Sequence, residues 1–201
     1  MPYTTYGLLK AIRSHQVSSP TVQASLATGR PNACNQCHLD RTLAWTADRL
    51  ADWTHAPRPT LTKEQSSTAA SVSWLLRGDA GQRALMAWSY GWEAAQQSSG
   101  TDWLAPYLAQ LLVDPYDAVR YIAYRSLRRL PGFSAFRYDF VGPPADRERA
   151  RRNVLEQWRR AGGTGPRARE AILIGRNGRL RQDLVAGLLR RRDDHRVRLQ
   201  E

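Results

Sequence analysis

Long apolar runs are missing from this 201-residue chain: no stretch approaches the roughly 18 residues needed to cross a bilayer. The first sixteen residues, MPYTTYGLLKAIRSHQ, lack the apolar core and small-residue cleavage site of a secretory signal. Catalytic signatures are missing too. No glycine-rich loop precedes a helix to cradle phosphate, since GGTGP reads as a linker, no nucleophile has a convincing base, and no acid pair is placed for hydrolysis. Lysine is nearly absent, only Lys10 and Lys63, so a formal charge of +12 rests on arginine. Cysteine occurs twice, at 34 and 37.

What is present suits a folded chain. Hydrophobic residues make up 42% and aromatics 9%, with seven tryptophans, which excludes wholesale disorder. The positive charge gathers at the end: from Ala145 onward sixteen arginines face eight acidic residues. These charges alternate, as in DRERARR and RRRDDHR, and no DNA- or RNA-binding motif accompanies them. Interleaved charge of this kind marks a solvated helix face more often than a nucleic-acid site. An acidic protein partner or an anionic membrane surface suits the excess at least as well as nucleic acid does.

The periodicity is helical through most of the chain. A short helix is expected around Tyr6–Ser14. After CNQCH, Leu39, Leu43, Ala47 and Leu50 recur on one face until APRPTLT breaks the pattern, and Thr62 with Gln65 has the spacing of a capping box. The stretch LAQLLVDPYDAVRYIAYRSLRRLPGF then pairs two helices across Asp114-Pro115, with Val119, Ile122, Ala123, Ser126, Leu127 and Leu130 facing inward. WLLRGDAGQRALMAWSYGW repeats the layout, with Leu75 standing 36 residues before Leu111 and Arg83 standing 37 before Arg120. The second unit resembles a HEAT repeat, in which the turn aspartate and the arginine after valine join neighbouring loops. The first departs from it, with Gly-Asp for Asp-Pro and no Val-Arg pair. Two units are few for a solenoid, so other elements are expected to cover an end. The tryptophans at 74, 88, 92 and 103 and Met86 read as repeat core. Beyond Ala145 the pattern predicts a charged helix with Val154, Leu155 and Trp158 buried. A short strand, an Asn-Gly turn, a helix from about Gln182 to Arg191 and a final strand, RVRL, follow.

The two cysteines stand in PNACNQCHLDR. Two cysteines fall three apart in about 1% of random placements, and a following histidine makes the coincidence far rarer; CxxCH is the signature of c-type haem attachment. Thiols three apart reach the two vinyl groups on one edge of a porphyrin, and the next residue supplies an imidazole to the iron. Cys34 and Cys37 are thus the candidate attachment points and His38 the candidate axial ligand. Three alternatives stand beside this one: a zinc site using both cysteines and two of His15, His38 and His55; a thioredoxin-like redox pair, for which GRPNA is a poor strand; and inert buried thiols. A sixth iron ligand would come from His15, His55, His195, Met1 or Met86. Among these, His55 suits a helix end, and His195 a solvated position in RRDDHR. Trp45 and Trp53, eight apart, share a helix face that could wall a haem edge or pack on the repeats.

The stretch MPYTTYGLLKAIRSHQVSSP…GRPNACNQCHLDRTLAW resembles the later portion of bacterial multihaem c-type cytochromes, some of which carry HEAT-like repeats in their C-terminal half. Met1-Pro2 stands where residues follow an upstream haem motif in that family. Arg13-Ser14-His15 with Pro20 matches its His–Pro element, and Pro31-Asn32-Ala33-Cys34 its lead-in to a second CxxCH. The resemblance is strong over residues 1–54, looser over 70–135, and adds little after 145. It implies that His15 ligates this haem or a neighbouring one. It also implies that the chain is the C-terminal part of a longer exported cytochrome, begun here at an internal methionine. Made alone, the chain would stay in the cytoplasm without haem.

The expectation is a mainly α protein: a haem-binding segment over 1–55 packed on a short HEAT-like array over 62–135, with a small α/β appendage over 145–201. The expected role is electron transfer through covalent haem c in a periplasmic multihaem protein, not catalysis. Redox partners, acidic ones favoured by the arginine-rich tail, and the other haem domains of the parent would be its contacts. The alternative is a haem-free helical-repeat interaction scaffold whose CxxC is incidental or binds zinc.

Overall fold

The computed structural model describes residues 5–7, 10–12, 19–55, 57–164 and 169–195, and the fold is mainly α. A hairpin of β1 (Thr5–Gly7) and β2 (Lys10–Ile12) pairs Gly7 with Lys10 and Thr5 with Ile12. Three helices follow: α1 (Val22–Thr28), α2 (Ala33–Cys37) and α3 (Leu43–Thr54). After the proline-rich break, α4 (Lys63–Ser67) begins at the capping box of Thr62 and Gln65, with both reciprocal hydrogen bonds made.

The repeat region consists of α5 (Ala70–Arg77), α6 (Ala80–Tyr90), α7 (Glu93–Ser99), α8 (Ala105–Leu111) and α9 (Asp117–Leu127). Helices α5 and α6 form one antiparallel pair and α8 and α9 the next. They stack like on like, α5 against α8 and α6 against α9, the latter being the most extensive helix contact among the described residues. The close approach of α6 to α9 explains Gly91, where an added Cβ would lie 2.8 Å from the Ser126 Cα.

One buried ion pair joins the two units. Arg83 of α6 is fully buried, and its guanidinium grips Asp114, in the turn before α9, through Nε–Oδ2 at 2.7 Å and Nη2–Oδ1 at 3.2 Å. Arg120 occupies the equivalent place in the second unit. Each arginine donates to the carbonyl five residues earlier, Gly78 for Arg83 at 2.6 Å and Pro115 for Arg120 at 3.0 Å. With no third aspartate beyond it, Arg120 turns to the Phe140 carbonyl at 2.6 Å and to Asp117. The first unit, irregular in sequence, therefore repeats the geometry of the second.

The charged helix α10 (Pro144–Arg160) packs on α8, and α11 (Gln182–Arg190) packs on α5. A continuous hydrophobic core runs from Leu39 through both repeat pairs to Val154, Trp158, Ile172 and Leu188, so the appendage shares the core of the array. The array's far end is covered by the segment after α9, where Phe136, Tyr138 and Phe140 contact Tyr124 and Tyr121. The RRDDHR segment also folds back: Arg83 donates to the Asp193 carbonyl at 2.7 Å, and the Tyr116 hydroxyl to that of His195.

Two local expectations need correction. The helix expected around Tyr6–Ser14 is replaced over the described residues by the hairpin; a glycine at position 7 weakens a helix interior. The strand expected at AILI is a 3-10 turn, Glu170–Ile172, flanked by single bridges of Ile174 to Arg169 and to Leu180. Four consecutive apolar or small residues read equally well as strand or buried turn, and Leu173 in a left-handed conformation (φ 54°) ends any extended run. The final RVRL lies outside the described residues.

Candidate functional site

Helix α2 is a single turn holding the CxxCH motif. Asn32 caps it, its side-chain oxygen accepting from the Cys34 N–H at 3.0 Å while its amide donates to the Thr21 carbonyl at 3.1 Å. His38 closes it, its N–H donating to the Cys34 carbonyl at 2.8 Å. Positions i, i+3 and i+4 fall on one face of such a turn, so Cys34, Cys37 and His38 share a side. The two residues between the cysteines point inward. Asn35 is fully buried, donating to the Arg41 carbonyl at 3.1 Å and accepting from the Thr46 hydroxyl at 2.9 Å. Gln36 is fully buried as well, and its Oε1 has no hydrogen-bond partner.

Both thiols are free and half-buried. Cys34 lies against the small apolar cluster of Val22, Leu43, Ala47, Leu50 and Ala70. Burial is the main force on its thiol, pushing the pKa up, with a smaller upward push from Cys37. A thiol shifted that way is a poor thiolate at neutral pH, which counts against a redox-active pair. Cys37 meets α7, its Sγ 3.4 Å from the Ser98 hydroxyl and 3.7 Å from the Ala94 carbonyl.

The half-buried His38 ring lies 5.0 Å from the Trp45 ring at 55°, and the Arg41 guanidinium sits over the Trp45 ring, 5.6 Å from its centroid. Among the described residues the His38 imidazole has no hydrogen-bond partner. The backbone beside it is held firmly. The Ser99 hydroxyl, at the end of α7, donates to the Cys37 carbonyl at 3.0 Å and accepts from the Leu39 N–H at 2.8 Å. The Ser71 hydroxyl of α5 donates to the Leu39 carbonyl at 2.5 Å and meets the Tyr90 hydroxyl.

The donor set fits covalent haem: two unpaired thiols at i and i+3, neither fully buried, with an imidazole at i+4 whose nitrogens are uncommitted among the described residues. The other candidate ligands are dispersed. His55 is exposed and caps α3 in a left-handed conformation, φ 54°. The His195 side chain is 97% exposed and pairs with Asp193. Met86 is fully buried in the repeat core. His15 and Met1 lie outside the described residues. Among the described residues no three His, Cys, Asp or Glu side chains gather to hold a metal ion, so the zinc arrangement drawing on His55 is not assembled there. Trp45 stands beside the motif, whereas Trp53, on the same helix, is 70% exposed.

No family model, curated protein or solved structure matches this chain. No helix among the described residues is long and apolar enough to cross a membrane. Asn35, Thr46, Ser71 and Ser99 escape a reading by motif. Only Asn32, one residue ahead of a helix turn, carries a sequence signal, that of an N-cap. The serines lie 33 and 61 residues beyond His38, and nothing local marks them.

Proposed function

We propose that the chain carries electrons through a covalently bound c-type haem, as the C-terminal part of a longer exported multihaem cytochrome. The observation that carries this reading is the CxxCH turn itself: two free thiols one turn apart on α2, with His38 at its C-cap and its imidazole uncommitted among the described residues. When bound, the haem supplies a one-electron iron couple. Cys34 and Cys37 would hold it by thioether bonds, and His38 would ligate its iron. Trp45 shields one side of the His38 ring from water, and burial of Asn35 and Gln36 on the opposite side keeps the turn facing outward. His15 is the proposed second ligand, to this haem or a neighbouring one. The stacked helix pairs would serve as the rigid base, and the arginine-rich tail would favour an acidic redox partner.

The competing reading is a haem-free helical-repeat scaffold. The Arg83–Asp114 joint and the segment closing the far end of the array favour it, because they hold the stacked pairs together through protein contacts alone. Expression behind a periplasmic signal together with haem-maturation genes separates the two. The expected result is a haem-stained band that survives denaturation and disappears in Cys34→Ala/Cys37→Ala. A folded, colourless protein under those conditions would overturn the haem reading and favour the scaffold.

A further inference from the structure

We infer that Ser99 is a positioning residue for His38, setting the direction in which the imidazole is presented. His38 has φ −88° and ψ 72°, close to the inverse γ-turn, whose central residue sits near −75° and +65°. In that turn the carbonyl before the central residue and the N–H after it converge and bond to each other. Here they are the Cys37 C=O and the Leu39 N–H, and the Ser99 hydroxyl stands between them, donating to the first at 3.0 Å and accepting from the second at 2.8 Å. One hydroxyl thus spans both peptide groups flanking His38, so the two backbone torsions of His38 are tied to a single atom on another helix.

That atom is itself fixed. Ser99 is buried, and its own carbonyl accepts from the indole N–H of fully buried Trp103 at 3.0 Å and from Arg169 at 3.4 Å. Ser71 adds a second hold, on the Leu39 carbonyl. The repeat array therefore does more than support the CxxCH segment: through Ser99 it determines the backbone angle of the residue proposed to bind iron. A first-contact group is held in a productive orientation only when the groups behind it are locked in turn.

The inference rests on the haem reading for its consequence, but its geometry can be tested without haem. Ser99→Ala should raise the exchange rate of the Leu39 amide hydrogen at least 10-fold relative to wild type. Ser89→Ala, which removes an equally buried hydroxyl bonded to the Leu85 carbonyl within α6, should leave the Leu39 amide unchanged. In haem-loaded protein, Ser99→Ala should shift the midpoint potential and the low-spin EPR g-values, Ser89→Ala should not, and Ser99→Thr should restore the wild-type values. If Ser99→Ala and Ser89→Ala affect the Leu39 amide alike, the positioning role is wrong. If that amide responds while potential and g-values stay fixed in loaded protein, Ser99 is structural only, and the inference falls. A wild type that takes up no haem overturns the haem reading and leaves the clamp to be decided by amide exchange alone.

Discussion

The repeat array and the CxxCH segment are built on opposite principles. Between α5 and α9 the chain buries a dense apolar core, with Trp103, Tyr107, Leu108, Leu111, Leu112 and Met86 all fully enclosed. Among its buried polar contacts, the ion pair of Arg83 with Asp114 locks unit to unit. The segment from α1 to α3 has a satellite core, among the described residues, of four of its own side chains, Val22, Leu43, Ala47 and Leu50, closed by Ala70 of α5. It is held instead by side chains reaching main-chain groups: Asn32 to Thr21, Asn35 to Arg41, Ser71 and Ser99 to the peptides around Leu39. Apolar burial is non-directional and yields stability. Hydrogen bonds to the backbone contribute less net energy but fix torsions, which is what a short turn carrying two cysteines and a histidine requires.

That contrast can be broken most severely at the array. Arg83→Ala takes the close partner from buried Asp114, leaving Arg192 at 4.0 Å, and should cost about 3 kcal/mol, read as a lower midpoint in chemical denaturation. A loss under 1 kcal/mol would mean that the joint contributes little. Gly91→Ala forces a methyl against the Ser126 main chain and should cost about 1–3 kcal/mol, again in denaturation. In the CxxCH segment, Asn35→Ala removes one of two partners from the Thr46 hydroxyl and from the Arg41 carbonyl, which keep the Thr42 carbonyl at 3.4 Å and the Ala70 N–H at 3.0 Å. The expected cost is about 0.5–1.5 kcal/mol. Its distinctive sign should be local: amide exchange accelerates over residues 33–46 while the α6 and α9 amides keep their protection.

Alkaline titration sharpens the comparison further. Burial raises the phenols of Tyr90 and Tyr107, and pushes Tyr138 up to about 12 against the opposing pull of Arg120 and Arg147. A raised phenol favours its neutral form in the fold, so this stabilisation is complete below the ordinary tyrosine value of about 10. It is lost as pH climbs from there through about 12. Denaturation midpoints should therefore hold to pH 10 and fall above it, in step with tyrosinate absorbance. The smallest effect is expected at the border of the two regions, where Thr62→Ala removes half a capping box. It should cost about 1 kcal/mol, measured by thermal melting, and leave the CxxCH turn undisturbed.

Local signals in the chain were legible where a short stretch carries its own physics. The buried faces of α3 and α9, the capping box at Thr62 and the helix over Gln182–Arg190 all follow periodicity or capping chemistry, and the structure contains each of them. The paired strands Thr5–Gly7 and Lys10–Ile12 and the 3-10 turn at 170–172 were not legible, because stretches that short satisfy several templates equally well. The first repeat unit shows the same limit from the other side. With Gly-Asp in place of Asp-Pro it looks irregular, yet Arg83 makes the same five-residue backbone bond as Arg120.

By itself the sequence determined that the chain is mainly helical, that two of its helix pairs repeat, and that its two cysteines and a histidine share one turn. These depend on spacings of three to thirty-seven residues along the chain, which composition and periodicity express directly. Only the tertiary structure decided that Arg83 meets Asp114, that the appendage joins the core of the array, and that Ser99 spans the peptides on either side of His38. Those pairings cross from one element to another, and a lone serine at the end of a helix has no local preference that names its partner. Its role arises when packing of the array brings α7 beside α2.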